Sequence, residues 1–314
     1  MRPGLALLAL ALGGRAAAAA PTLLVSGGLA IRVDGAGNWT LSADGSPWLV
    51  GGRATLPVAG LAPATQLVQV APPTGAAAGR DAWGAFRSVT LRWGIEPGGD
   101  VVIMTSIRAY DSPGSARELI VFRQEWPGGW AGIGDAGASA AARDHAIAPF
   151  PTFFTNASGA PDQNSVQWSG CQLDSGGVGH WSGSSPPQQW DDQQTGAPVL
   201  IYDAAGRATA VAPASNFMVA LHATRDVDHG FDAGVKQSVA SLPPGFAHET
   251  VLVGGASPQA ALDALGDALR ALSGKPRTDA YADFVLSHVG YWTDYGGVSM
   301  AVRTADSATV IAHT

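Results

Sequence analysis

The chain has 314 residues and a formal net charge of −7, and 14% of it is charged, against roughly 25% in an average soluble protein. Its Lys and Arg are scattered, so no basic stripe exists to neutralise a phosphate backbone, and nucleic acid is excluded as a partner. A single cysteine, Cys171, excludes an internal disulfide.

Residues 1–20 have the layout of a secretory signal peptide: Met1-Arg2 is basic, 5–12 is apolar, and 16–20 is a run of alanines suited to cleavage. The apolar core is too short to span a bilayer, and no later window is long enough. The expected product is therefore secreted, or held in the secretory-pathway lumen, with no membrane span once the signal is removed. About 290 mature residues bury a sizeable core without covalent staples. Asn38-Trp39-Thr40 and Asn156-Ala157-Ser158 are sequons, and in a eukaryotic secretory pathway Asn38 and Asn156 would accept glycans.

From residue 22 to about 255 the apolar pattern is short and strand-like. Residues 23–25 and 29–33 are followed by a turn at 34–37, and 39–41 runs into Asp44-Gly45, a step that favours a tight hairpin. Residues 88–95 and 101–110 alternate around Glu96-Pro97-Gly98-Gly99-Asp100, and 118–126 closes on Pro127-Gly128-Gly129. Residues 199–202 and 208–211 flank another turn, and 217–221, 235–239 and 249–253 complete the predicted strands. Many short strands with Gly, Pro and Asp turns predict a large β-sandwich. Between 154 and 198 the pattern dissolves into Ser, Gly, Gln, Asp and Pro, which reads as a long ordered loop carrying Trp168, Trp181 and Trp190. Ten tryptophans are available, most of them expected in the core, with exposed ones able to stack on sugar rings.

The composition changes at Ser257. Ser257 is placed as N-cap, Pro258 as the first helical residue and Gly274 just past the end. Ala261, Leu262, Leu265, Leu269 and Leu272 share one face at spacings of three and four. The helix reads as a linker, and residues 286–292 as a fresh strand beyond it. The domain reading is signal peptide 1–20, β-sandwich 21–256, linker helix 257–274, and an incomplete C-terminal segment 275–314.

Two further constellations fail as sites. Asp226, Asp228, His229 and Asp232 lack the spacing of a calcium loop and read as an Asx-type turn. Cys171 with His180 and Asp174 has no sequence evidence of a spatially adjacent base. Neither a metal nor an organic cofactor is expected.

The segment 121–129, VFRQEWPGG, then 249–255, ETVLVGG, a helix, Gly274-Lys275-Pro276-Arg277, and 288–294, HVGYWTD, come in a telling order. That order resembles the N-terminal half of glycoside hydrolases related to raffinose synthases and α-galactosidases. The resemblance implies a supersandwich preceding a (β/α)8 barrel, with Gly290-Tyr291-Trp292-Thr293-Asp294 in its first strand. It implies substrate contact for Trp292, which can stack on a sugar face, and for Asp294, which can accept hydrogen bonds from two hydroxyls. The alternative is that Trp292 packs on the linker helix and Asp294 caps a turn before Gly296-Gly297. After Asp294 the chain departs from the family's pattern, reading Tyr295-Gly296-Gly297 instead of a glycine and a run of tyrosines.

The catalytic carboxylates of such enzymes lie on later barrel strands, and a barrel takes about 250 residues. Forty residues follow Gly274. The expectation is thus a non-catalytic sandwich portion of a carbohydrate-acting enzyme, with no catalytic residue of its own and its barrel domain missing. The alternatives are a freestanding carbohydrate-binding or adhesion module and a sandwich with no ligand.

Overall fold

The computed structural model describes residues 20–52, 55–56, 66–111, 118–131, 146–155, 162–169, 175–181, 197–225, 229–279 and 281–289. In chain order the strands begin with β1 (Thr22–Ser26), β2 (Leu29–Val33), β3 (Trp39–Ala43), β4 (Ser46–Gly51), β5 (Thr55–Leu56), β6 (Leu67–Ala71) and β7 (Ala77–Asp81). They continue with β8 (Gly84–Gly94), β9 (Ile103–Tyr110), β10 (Leu119–Trp126), β11 (Trp130–Ala131), β12 (Thr152–Phe154), β13 (Gln163–Ser169) and β14 (Ser175–Trp181). The last are β15 (Val199–Asp203), β16 (Ala208–Pro213), β17 (Ala220–Arg225), β18 (Gly230–Val235), β19 (Ser241–Leu242) and β20 (Phe246–Gly255), followed by helices α1 (Pro258–Ser273) and α2 (Phe284–Ser287). No helix among the described residues is long and apolar enough to cross a membrane.

The strands form two large antiparallel sheets. The smaller has the order β1-β2-β3-β4-β12-β18-β17. The larger runs β14-β13-β15-β16-β20-β10-β9-β8-β6-β5, with β7 paired to β8 off this path. Local chemistry sets the hairpins. Asp44 and Gly45 both take positive φ, 48° and 81°, which is the twist-matched two-residue turn that an Asp-Gly step favours. Gly129 takes φ 75° after β10, and a Cβ there would meet the Leu242 carbonyl at 2.5 Å, so only glycine fits.

Between the sheets lies an apolar core in which β2, β3 and β4 contribute Leu29, Ile31, Trp39, Leu41, Trp48 and Leu49. Val89, Ile107, Ile120, Phe122, Val211 and Leu252 face them from the larger sheet. Trp39 lies 5.4 Å from both Phe122 and Phe153, tilted against the first and edge-on to the second. Polar atoms of the core side chains tie the layers: Trp48 Nε1 donates to Thr209 Oγ1 at 3.0 Å, and Gln163 Nε2 donates to the Trp48 carbonyl at 2.9 Å.

The larger sheet is buried on both faces where α1 covers it. On β10, Ile120 and Phe122 face the core, while Leu119 and Val121 face the helix. Ala261, Leu265 and Ala268 of α1 are buried there, with Leu262, Leu269 and Leu272 half-buried beside them. The Ser257 hydroxyl accepts from the Ala260 amide at 3.1 Å, and Gly274 ends the helix at φ 64°. Helix α1 thus belongs to the compact unit that ends at Ser273, and the remainder from Gly274 forms a second unit.

Four sequence expectations need correction, and the first is the strand at 235–239: only Val235 belongs to a strand, β18, before the Val239 amide closes a turn onto the Lys236 carbonyl. The stretch 154–198 is not a loop throughout, because it contains the last residue of β12 and the whole of β13 and β14. Residues Phe217–Val219 form a 3-10 turn rather than the start of a strand, since Asn216 adopts a left-handed conformation at φ 50° and its amide donates to the Ala247 carbonyl. In the second unit, Leu286 and Ser287 belong to the helical turn α2 instead of opening a strand. Asp279 starts this chain segment with a side-chain turn to the Tyr281 amide, and the Ser287 amide then bonds to the Asp283 carbonyl.

Candidate functional site

Trp292 and Asp294 lie outside the described residues, as do Asn156, Trp190, Cys171, Asp174, Asp226 and Asp228. Asn38 is half-buried at the head of β3, where its side-chain amide donates to Asp34 Oδ2 at 3.1 Å. Trp181 is not an exposed loop residue: it is fully buried in β14, edge-on to Phe231, with Nε1 donating to the His229 carbonyl at 2.8 Å. Trp168 is half-buried and packs with the cluster under α1. Trp39, Trp48, Trp83, Trp93 and Trp126 are buried as well and Trp130 is half-buried, so no described tryptophan is exposed. His180 is exposed on β14. No group of three or more His, Cys, Asp or Glu among the described residues is placed to hold a metal ion, and Asp232 is buried in β18.

What the sequence did not single out is a charged network on the outer face of the larger sheet, beside α1. Glu249 of β20 accepts from Arg108 of β9 at 3.2 Å and from Arg123 of β10 at 3.0 Å. Arg123 also donates to Glu125 at 3.0 Å, and Arg108 to Asp81 at 3.3 Å. The pairing follows from register, because Arg123 stands opposite Glu249 across the β10–β20 ladder. The Tyr110 hydroxyl donates to Asp81 at 2.6 Å; burial first, then the Asp81 carboxylate, raises its pKa. Burial works against the Arg123 charge, but hydrogen bonds to Glu125 and Glu249 outweigh it and raise the guanidinium pKa. Arg108 also lies over the Phe86 ring, 5.0 Å from its centre. With Thr90, Met104 and Ser106 these arginines and Glu125 line a shallow open depression of about 160 Å³. Donors and acceptors alternate there without an aromatic floor. Such a surface can hydrogen-bond a polyhydroxylated ligand, but it holds no isolated carboxyl pair for acid–base chemistry.

A second polar assembly is enclosed between the sheets. Gln163, Ser165 and Gln167 occupy alternate positions of β13, all buried. Gln124 of β10 stands opposite His248 of β20, and His222 projects inward from β17 against Phe231, 5.2 Å between rings. The Gln124 amide donates to the Ala148 carbonyl, while its Oε1 has no partner. His222 Nδ1 lies 2.7 Å from the Ala197 carbonyl, which makes that nitrogen the donor and leaves Nε2 unpartnered. His248 Nδ1 and Thr250 Oγ1 are likewise buried and unpartnered. Burial pushes both imidazoles down to about 4, and His248 lowers His222 further by proximity. The sequence carried no sign of this pair, because the two histidines are distant in the chain and match no ligand spacing.

No family model matches the chain, and no curated protein matches it. Solved structures are similar to it. Ligand-free alpha-N-acetylgalactosaminidase NagBb from Bifidobacterium bifidum is 12% identical over 83% of this chain and 40% of its own, with a TM-score of 0.46. A quadruple mutant of the same enzyme is 12% identical over 83% and 41%, with a TM-score of 0.49. A glycoside hydrolase family 97 enzyme from Pseudoalteromonas sp. strain K8, in complex with acarbose, is 12% identical over 75% and 36%, with a TM-score of 0.43. The chain therefore spans about two fifths of the length of these glycoside hydrolases.

Proposed function

We propose that the chain is the N-terminal, non-catalytic β-sandwich portion of a secreted glycoside hydrolase acting on α-galactoside-type sugars. The observation that carries this reading is an order of elements. A two-sheet sandwich is closed by the packed helix α1, and Gly274-Lys275-Pro276-Arg277 and then His288-Val289-Gly290-Tyr291-Trp292-Thr293-Asp294 follow directly. In this reading Trp292 and Asp294 supply one wall of a sugar subsite, and a barrel domain supplies the catalytic carboxylates. The secretion signal fits a mature chain starting at Pro21, next to the first residue of β1. Purified chain incubated with aryl α-galactosides and raffinose-series sugars is expected to show no turnover, and clear hydrolysis or transfer overturns the reading. N-terminal sequencing of secreted protein checks the processing site.

The second reading, a freestanding carbohydrate-binding module, is favoured by the depression around Arg108, Arg123 and Glu125. Its polar lining suits the hydroxyls of a sugar, whereas the buried tryptophans argue against binding by stacking. Calorimetric titration with galactosides separates the two readings. Binding that Arg123→Ala abolishes supports the module, and no binding by the isolated chain supports the first reading.

A further inference from the structure

We propose that the Arg277–Thr278 peptide bond is a proteolytic processing site, cut by an arginine-specific serine protease that separates the sandwich from the segment carrying Trp292 and Asp294. The bond lies just inside the second unit, which begins at Gly274. Gly274 ends α1 at φ 64°, and residues 275–279 then have neither helix nor strand, with every one exposed. No hydrogen bond or ion pair links Lys275, Pro276, Arg277 or Thr278 to any other described residue. The next bonds come at Asp279, whose carboxylate accepts from the Tyr281 amide at 2.9 Å and whose carbonyl accepts from the Ala282 amide at 3.1 Å.

Local chemistry suits this stretch to a protease cleft. A serine protease takes its substrate as an extended strand bonded to the edge of the cleft, so cleavage needs exposed backbone free of internal partners. Pro276 fixes its own φ at about −65° and disfavours the helical region for Lys275, so the residues ahead of Arg277 start out extended. The Arg277 guanidinium has no carboxylate partner among the described residues, which leaves its charge to enter a pocket with a carboxylate at its base. Lys275 is not an equivalent target. The bond after it runs to the ring nitrogen of Pro276, which carries no N–H and whose ring crowds the attacked carbonyl.

Elsewhere among the described residues, basic side chains stand on ordered backbone. Those on β2, β7, β8, β9, β10 and β17 lie within paired strands, and Arg270 lies within α1. Arg207 closes the β15–β16 hairpin through its carbonyl, and the Lys236 amide donates to the Val219 carbonyl. Tyr281 and Phe284 are 89% and 73% exposed, but they stand in a turn and in α2, so an aromatic-specific protease meets bonded backbone there. The sandwich side keeps its packing after the cut, because α1 is seated ahead of the bond through Ala261, Leu265 and Ala268. Water adds across the bond: the C–N link from Arg277 to Thr278 breaks, leaving a carboxylate on Arg277 and an ammonium on Thr278.

Trypsin acting on the full chain under native conditions tests this, with mass spectrometry of the new ends and a synthetic peptide of residues 271–283 as reference. The expected rate at Arg277–Thr278 lies within about tenfold of the peptide's, because no opening precedes cleavage, whereas a bond in a paired strand is slowed by its opening equilibrium. A rate more than about tenfold below the peptide's would mean that the bond is held closed, and overturns the proposal. Arg277→Gln should leave the sandwich joined to Trp292 and Asp294, and separation that persists at a neighbouring bond overturns it too. The released sandwich fragment should keep the thermal midpoint of the intact chain. Its degradation as fast as it forms would make the bond a point of destruction rather than of separation, and overturns the proposal as well.

Discussion

The two halves of the outer face of the larger sheet are built on the same strands and differ in what covers them. On β10, Leu119 and Val121 lie under α1, and two residues further along the same face come Arg123 and Glu125. On β20, Val253 and Val251 lie under the helix, and Glu249 follows in the open half. The pleat, twist and register are shared, so β propensity cannot explain the switch from aliphatic to charged. Cover does. Where α1 excludes water, a carbon side chain gains its transfer free energy on both faces of the sheet, and the strand reads as a continuous apolar run. Where the face stays open, charges keep partial hydration, and pairing across the ladder outweighs the desolvation that remains.

This contrast breaks most sharply at the seat of the helix. Leu265 is 4% exposed and sits with Val121, Val251 and Ala210 in the cluster under α1. Leu265→Ala should lower unfolding free energy by about 3 kcal/mol, from lost transfer plus the cavity left behind. Urea or thermal unfolding reads it, and a loss below about 1 kcal/mol would mean that the helix is not a structural cover. The open half predicts less. Glu249→Ala removes the acceptor shared by Arg108 and Arg123, both of which keep a second carboxylate and some water contact. A loss of about 1–2 kcal/mol is expected. If Glu249→Ala costs more than Leu265→Ala, the charged half is the more strongly organised one and the comparison reverses.

The same contrast explains what the sequence disclosed. The hairpins at Asp44-Gly45 and Gly98-Gly99 and the amphipathic helix were legible, because turn chemistry and apolar spacing act over a few residues. Strands β13 and β14 were not, because the inward positions of β13 carry Gln163, Ser165 and Gln167. A buried polar row reads as a loop when burial is inferred from hydrophobicity alone. Nor was the network of Asp81, Arg108 and Glu249 visible, since its members are brought together by sheet order across 27 and 141 residues of chain. Trp181 was misplaced for a related reason: its partners Phe231 and the His229 carbonyl come from the opposite sheet. Of the candidate substrate contacts, Trp292 and Asp294 depend on family resemblance, and spacing within the sequence contributes nothing to them.

The smallest expected effect lies at the first turn of the cover. The Ser257 hydroxyl satisfies the Ala260 amide, one of the donors that a helix start leaves without an internal partner, while Pro258 presents no amide at all. Ser257→Ala removes that bond and exposes the amide to water, which costs about 1 kcal/mol in most helices. Here the first buried contact, Ala261, is only one position further on and is fully buried against the sheet. Packing therefore pins the helix just past the cap, and fraying stops at that point. The loss should be about 0.5–1 kcal/mol, and hydrogen exchange should speed up at Ala260 and Ala261 but not at Leu265. Faster exchange along the whole of α1 would show that the cap, rather than the apolar seat under Leu265, sets the stability of the cover.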